Sequence, residues 1–112
     1  MTLDQKKLLL DIQNCIQSID FHLESRRNIN EYQEDKTKRR AVEREIEIIG
    51  EAISKLLKIN SNIEISYARV IVDLQSKVIH AYDEVDDILI WKIIMKDIPI
   101  LLDEVTTLLN EN

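Results

Sequence analysis

The chain has few of the residues that interrupt helices, cross-link segments or stack as rings. Its 112 residues include one glycine, one proline and one cysteine, and aromatic residues make up 4%. Folds built from many short strands need many turn residues, so this scarcity argues against an all-β protein and for helices joined by few breaks. The length predicts a single domain over residues 1–112, large enough for a core without metal or disulfides.

The single cysteine and the short apolar runs restrict the class of protein further. Cys15 has no intramolecular partner, so nothing indicates an oxidising compartment, and its apolar surroundings favour a buried side chain over a nucleophile. No apolar run approaches the ~18 residues that span a membrane. Asp11, Gln13 and Asn14 interrupt the first apolar stretch, which is unlike a signal peptide. We therefore expect a soluble cytoplasmic protein that does not enter a membrane.

Charge is distributed unevenly along the chain. The formal net charge of −6 is unfavourable for broad phosphate binding. One third of the chain nevertheless collects basic residues, whereas acidic residues collect near the carboxyl terminus. This asymmetry favours contact between two subunits or with a partner, and two solvated helix faces are the alternative. The basic residues are Arg26, Arg27, Lys36, Lys38, Arg39, Arg40 and Arg44.

Apolar spacings of three and four predict two long helices in the first half. The first helix is predicted from about Leu3 to Glu24 and the second from about Asn30 to Ile59. The second carries two apolar stripes about 100° apart, which indicates contact with two neighbours. The stripe of the first helix is Leu9, Ile12, Ile16, Ile19 and Leu23; those of the second are Val42, Ile46, Ile49, Ile53 and Leu56, and Ala41, Ile48, Ala52 and Ile59.

In the second half of the chain, the apolar spacing predicts a third helix, 66–82, and a last helical stretch, 85–110. Pro99 lacks an amide hydrogen and crowds the preceding turn. The last stretch is therefore expected to kink, or to consist of two segments that meet near Lys96 and Asp97, with the Asp97 side chain capping the second.

The third helix carries the candidate chemistry. Arg69, Asp73, Ser76 and His80 share one face of this helix, and histidine is the side chain best suited to proton transfer near neutral pH. The alternative is a solvated face with an Arg69–Asp73 ion pair. No HExxH or paired-cysteine pattern is present, and one glycine cannot form a phosphate loop, so neither a metal nor another cofactor is predicted.

Three segments resemble the HepT-like branch of the HEPN superfamily. The first is RAVEREIEIIGEA, at 40–52, and the second is His80-Ala81-Tyr82 followed by Val85-Asp86. The third is Ile90-Trp91 followed by KDIPIL, at 96–101. The order and separation of the three segments match the family.

The resemblance implies an all-α, four- or five-helix up-and-down bundle of HEPN type that forms a homodimer. In active members an arginine and a histidine from the shared motif cleave RNA without metal in a cleft between the subunits. His80 and Tyr82 match that motif, whereas Gln75 stands at the arginine position and Ser76 at a position usually held by asparagine. Lys77, one helical turn from His80, is the candidate replacement cation.

The family also implies a partner and a modification. Its members are commonly encoded beside a minimal nucleotidyltransferase antitoxin, which in part of the family attaches AMP to the motif tyrosine, here Tyr82. The expected function is therefore a ribonuclease toxin of a type VII-like toxin–antitoxin pair, weakened by Gln75. The alternative is an inactive dimeric module that binds the nucleotidyltransferase.

Overall fold

A computed structural model describes residues 1–66, 68–73 and 87–111 of the chain. Within these residues every regular element is helical, which confirms the predicted all-α class. In chain order the helices are α1 (Leu3–His22), α2 (Ile29–Glu34), α3 (Lys36–Ile59), α4 (helical over 68–73), α5 (Asp87–Lys92) and α6 (Ile98–Asn110), with a π-helical segment, Ile93–Asp97, between the last two. None of the helices so described is long and apolar enough to cross a membrane.

The first helix begins and ends close to the predicted positions. Thr2 caps it, because its Oγ1 accepts a hydrogen bond from the amide of Gln5 at 3.2 Å. The whole predicted stripe is buried, as are the neighbouring residues of α3 and α6 that it contacts. Cys15 is also buried, as predicted. Burial of this stripe against α3 and α6 supplies one continuous apolar core.

The turn after α1 contains two residues in the left-handed region. Glu24 has φ 55° and Ser25 has φ 56°. Neither is a glycine, and left-handed backbone costs other residues roughly 1–2 kcal/mol each. The Ser25 amide donates to the carbonyl of Asp20 at 3.0 Å, which satisfies one of the free carbonyls at the helix end.

The predicted second helix is wrong at its beginning, because two helices stand in its place. Asp35 leaves the helical region, with φ −105° and ψ 98°, and ends α2. Its Oδ1 then accepts from the amide of Lys38 at 3.0 Å and caps α3. Asn28 caps α2 in the same way. One short polar side chain, Asp35, therefore separates what the apolar pattern joined, and Asn28 marks the beginning of the first of the two helices.

The main stripe of α3 is buried in full, but its second stripe is buried only in part. Ala52 is buried, Ala41 and Ile48 are partly exposed, and Ile59 is 47% exposed. The expectation that α3 contacts neighbours over a wide apolar arc is therefore wrong toward the carboxyl end of the helix, where the second stripe is exposed. Gly50 is buried within α3.

The predicted break near Pro99 is confirmed, and it takes the form of a π-helical turn. The amide of Ile98 donates to the carbonyl of Ile93, five residues back. Pro99 cannot donate to the preceding turn, and a wider turn accommodates its ring. The prediction that the Asp97 side chain caps α6 is wrong: Asp97 has helical backbone angles, is buried and makes no capping hydrogen bond.

Candidate active site

The predicted motif lies outside the described residues. Gln75, Ser76, Lys77, His80 and Tyr82 all fall within 74–86, between the described part of α4 and the first residue of α5. Their assignment therefore stays a prediction. The described residues before this stretch, Ser66 and α4, are here called the upstream flank. Those after it, at the start of α5, are called the downstream flank. The contacts of the two flanks show how the rest of the fold holds the two ends of the stretch.

The upstream flank is held by a carboxylate from α6. Glu104 accepts a hydrogen bond from the Ser66 amide at 3.0 Å and another from the Ser66 hydroxyl at 2.7 Å. Ser66 lies two residues before the described part of α4, so Glu104 places a negative charge near the positive end of the dipole of that helix. Ser66 is thereby fixed to α6.

The described part of α4 shows little other polar bonding. Arg69 and Asp73 are both exposed, and these two side chains form no ion pair with each other. The alternative interpretation of this face is therefore right about the exposure of these two side chains and wrong about their ion pair. Ala68 and Ile71 are buried in the core and supply the apolar side of the attachment.

The downstream flank is held by a basic residue of α3. Arg39 Nε lies 3.8 Å from Asp87 Oδ2, and another nitrogen of the same guanidinium donates to the carbonyl of Gln33. One arginine thus joins α2, α3 and the first residue of α5. The rings of Tyr32 and Trp91 pack beneath this contact with centroids 5.4 Å apart, which adds an apolar contact between α2 and α5.

Burial raises the pKa of two ionisable groups around this contact. Tyr32 is fully buried, and its hydroxyl has no hydrogen-bond partner among the described residues. Burial raises the pKa of Tyr32, and the nearby carboxylates of Glu43 and Asp87 raise it further while Arg39 opposes them. Burial likewise raises the pKa of Glu43, opposed by Arg40 and increased by Asp87. Tyr32 therefore stays neutral at physiological pH, and Glu43 is held in a site that disfavours its charge.

Sequence reasoning did not single out Arg39 and Glu104. Arg39 precedes the buried residues Val42 and Ile46 by three and seven positions, a spacing that places it on the inward face of α3. This spacing could have identified Arg39 from the sequence. Nothing in the sequence could have identified the role of Glu104, because its partner Ser66 is 38 residues away.

The second histidine lies in a separate polar cluster between α1 and α3. His22 Nε2 is 2.8 Å from Glu45 Oε2, and both side chains are largely buried. Burial, together with the adjacent Glu45 carboxylate, raises the pKa of the Cys15 thiol to about 12. A thiol so perturbed is protonated at neutral pH and is a poor nucleophile. In the part of the chain that is described, no group of three or more histidine, cysteine, aspartate or glutamate side chains is arranged to hold a metal.

Comparisons with known proteins bear on the whole chain. Residues 12–108 match the sequence model of a family described as Ribonuclease HepT-like. The chain is 36% identical over 108 residues to the protein named "Putative RNase MJ1380" of Methanocaldococcus jannaschii, an alignment that covers 91% of this chain and 94% of the relative. No solved structure matches significantly. The matched span includes both flanks and the motif positions between them.

Proposed function

This chain belongs to the HepT-like ribonuclease family, and we propose that it is the ribonuclease toxin of a type VII-like toxin–antitoxin pair, weakened by Gln75. The observation that carries the proposal is the presence of His80 and Tyr82 at the motif spacing in a chain that matches the family over residues 12–108. The relative from Methanocaldococcus jannaschii is itself named as an RNase. RNA is accordingly the proposed substrate and the cytoplasm the proposed compartment.

The proposed chemistry divides proton transfer from charge stabilisation. His80 acts as general acid or base on the phosphodiester, because its charge changes near neutral pH. Negative charge that develops on the phosphate then needs a cation, and Gln75 is neutral. Lys77 is the proposed substitute, while Ser76 has a hydroxyl that can donate to a phosphate oxygen. A lysine is a point charge without the planar fork of a guanidinium, so we expect slower cleavage than an arginine would give.

The proposal includes two protein partners. A second copy of the chain completes a cleft shared by the two motifs, and a minimal nucleotidyltransferase acts as antitoxin. Transfer of AMP to Tyr82 would add phosphate charge two residues from His80. That charge would repel the RNA backbone, which gives the antitoxin a direct way to silence the site.

Gln75 also favours a second candidate function. If the absence of the guanidinium abolishes cleavage, the chain serves as an inactive dimeric module that retains binding to the nucleotidyltransferase. The two candidates differ in the role of His80, which is required for cleavage but not for binding.

Cleavage of RNA in the presence of a chelator tests the ribonuclease directly. We expect slow cleavage by the wild-type chain, none by His80→Ala, and a further loss in Lys77→Ala. His22→Gln is the matched control, because it changes the other histidine and retains a side chain that can hydrogen-bond to Glu45. Equal cleavage by wild type and His80→Ala would contradict the assignment.

Incubation with the cognate nucleotidyltransferase and ATP tests the modification. Intact mass should rise by one or more nucleotidyl units in the wild type and remain unchanged in Tyr82→Phe. Tyr32→Phe is the control, because Tyr32 is buried and out of reach of an enzyme. Modification of the Tyr82→Phe variant would place the acceptor elsewhere.

A further inference from the structure

The exposed face of α3 carries a row of basic side chains in the amino-terminal half of the helix. Lys36, Arg40 and Arg44 are exposed and lie four residues apart, so they follow one another along about 12 Å of the helix axis. This spacing places them on the side of α3 opposite its buried stripe. Residues 36–44 contain five basic residues and one acidic residue, the partly buried Glu43. The three exposed residues are here called the basic row.

Two members of the basic row lack the carboxylate partners that other basic residues nearby have. Among the described residues, the side chains of Lys36 and Arg40 form no hydrogen bond and no ion pair. Burial raises the pKa of Glu43 and Arg40 opposes that rise, so Arg40 acts on this carboxyl group without contacting it. Four arginines of the same part of the chain do form ion pairs, namely Arg26, Arg27, Arg39 and Arg44.

The position of the basic row is unfavourable for the stability of α3 itself. Lys36 is the first residue of the helix, and the first turn contains no acidic side chain. A cation at this end opposes the positive end of the helix dipole, and like charges four residues apart repel each other. A bound anion would relieve both effects, because it is attracted by the dipole and by the cations. The row is therefore better suited to binding an anion than to stabilising the helix.

We propose that the basic row binds the phosphate backbone of RNA along the axis of α3. The choice of RNA rests on the proposed ribonuclease function, whereas the row consists only of described residues outside the motif. RNA carries charges that repeat regularly along one chain, which suits cations that repeat regularly along one helix. Contacts to phosphate carry no sequence information, so the row contributes affinity and not a choice of sequence.

The basic row lies beside the downstream flank. Arg39 is next in sequence to Arg40, and its Nε is 3.8 Å from Oδ2 of Asp87, the first described residue after the motif stretch. RNA held on the row is therefore held close to the residue at which the motif stretch ends. The binding itself requires nothing from the residues within that stretch.

The salt dependence of RNA binding tests the basic row. A short single-stranded RNA is titrated with the His80→Ala chain, so that the RNA is not consumed by the proposed cleavage. Each phosphate contact adds about 0.7 to the slope with which log affinity falls against log salt concentration. We expect Lys36→Gln and Arg40→Gln each to lower this slope by about 0.7, and to weaken the binding of different RNA sequences by the same factor.

Lys58→Gln is the matched control for charge. It makes the same change as Lys36→Gln at another exposed position of α3, about 27 Å along the axis from Arg40, beyond the reach of a short RNA on the row. Its slope should equal that of the parent chain. Equal slopes for Lys36→Gln, Arg40→Gln and Lys58→Gln would overturn the proposal, whether or not the wild type cleaves RNA. Row-dependent binding by a chain that never cleaves RNA would support the row and contradict the ribonuclease.

Two further measurements separate RNA binding from other roles of the basic row. The urea midpoint of Lys36→Gln should not fall, because the substitution removes a cation from the positive end of the helix. A lower midpoint would indicate a structural role for Lys36 and would overturn the proposal. Polyglutamate should compete weakly with RNA for the row. Competition as strong as that of unlabelled RNA would show a surface for acidic polypeptides and would also overturn the proposal.

Discussion

The packing of α1 against α3 and the attachment of the motif flanks differ in how far they depend on polar contacts. The α1–α3 contact buries continuous apolar stripes from both helices. The flanks combine buried apolar side chains, namely Ala68, Ile71 and Trp91, with polar contacts. The partners in the polar contacts are partly exposed, namely Glu104 with Ser66 and Arg39 with Asp87. Apolar burial is insensitive to salt, whereas exposed charge contacts are screened and contribute little each. The difference implies that a substitution in the apolar contact should cost more stability than a substitution in one of the polar contacts of the flanks.

The largest expected effect comes from the apolar contact itself. Ile49→Ala removes a fully buried side chain of α3 and should lower the free energy of unfolding by about 2–5 kcal/mol. Ile59→Ala, on the exposed end of the same helix, should change it by less than about 0.5 kcal/mol. Urea denaturation measures both. Similar losses in the two variants would mean that the core is not where the stability is concentrated.

The polar attachment of the upstream flank should contribute less to stability. Glu104→Ala removes the acceptor of the Ser66 amide and hydroxyl, and loss of a hydrogen bond costs about 1 kcal/mol. Asp103→Ala is the control, because that side chain is exposed and next in sequence. If Glu104→Ala destabilised the chain as much as Ile49→Ala, the distinction between the two regions would be lost.

The turn after α1 offers a substitution that should stabilise. Glu24→Gly removes a left-handed non-glycine residue, and the relief of backbone strain exceeds the entropy cost of glycine by about 0.5 kcal/mol. Arg40→Gly, at an exposed helical position of α3, should instead lower the free energy of unfolding by about 1 kcal/mol. The Glu24 side chain forms an ion pair with Arg26, and a loss of stability in Glu24→Gly would show that this contact outweighs the strain.

The smallest expected effect concerns the buried carboxyl group near the downstream flank. Because burial raises the pKa of Glu43, the folded state binds its proton more tightly than the unfolded state does. Between the ordinary carboxyl pKa and the raised one, stability should therefore fall as pH rises. Glu43→Gln should remove this part of the pH dependence, whereas Glu51→Gln, an exposed change on the same helix, should retain it. Identical pH profiles for wild type and Glu43→Gln would contradict the assignment.

The apolar pattern predicted a helix and its buried face correctly where one spacing of apolar residues continues along the whole helix. The stripe from Leu9 to Leu23 continues without interruption, so both the helix and its buried face could be predicted. The same reasoning failed at Asp35, where one side chain both ends α2 and caps α3 within an otherwise helical pattern. It failed again at Asp97, which directly precedes α6 but belongs to a π-helical turn, has helical backbone angles and makes no capping hydrogen bond.

The attachments of the candidate site depend on contacts that local sequence does not specify. Arg39 could have been recognised by its register with Val42 on the buried face of α3, although its partner Asp87 could not. The Glu104–Ser66 contact joins residues that only the tertiary fold brings together. The catalytic assignment, by contrast, came from residue identities at a fixed spacing, so the motif could be proposed without any description of residues 74–86.

The measurement that tests the central claim most directly is the RNA cleavage rate of Gln75→Arg relative to wild type, under single-turnover conditions with a chelator present. Loss of one electrostatic stabiliser of a transition state costs about 100- to 1000-fold in rate. Restoring the guanidinium should therefore increase cleavage by about that factor, and His80→Ala in the same background should abolish it. A rate that does not change in Gln75→Arg, or cleavage that persists without His80, would contradict the account of a HepT-like ribonuclease limited by its missing cation.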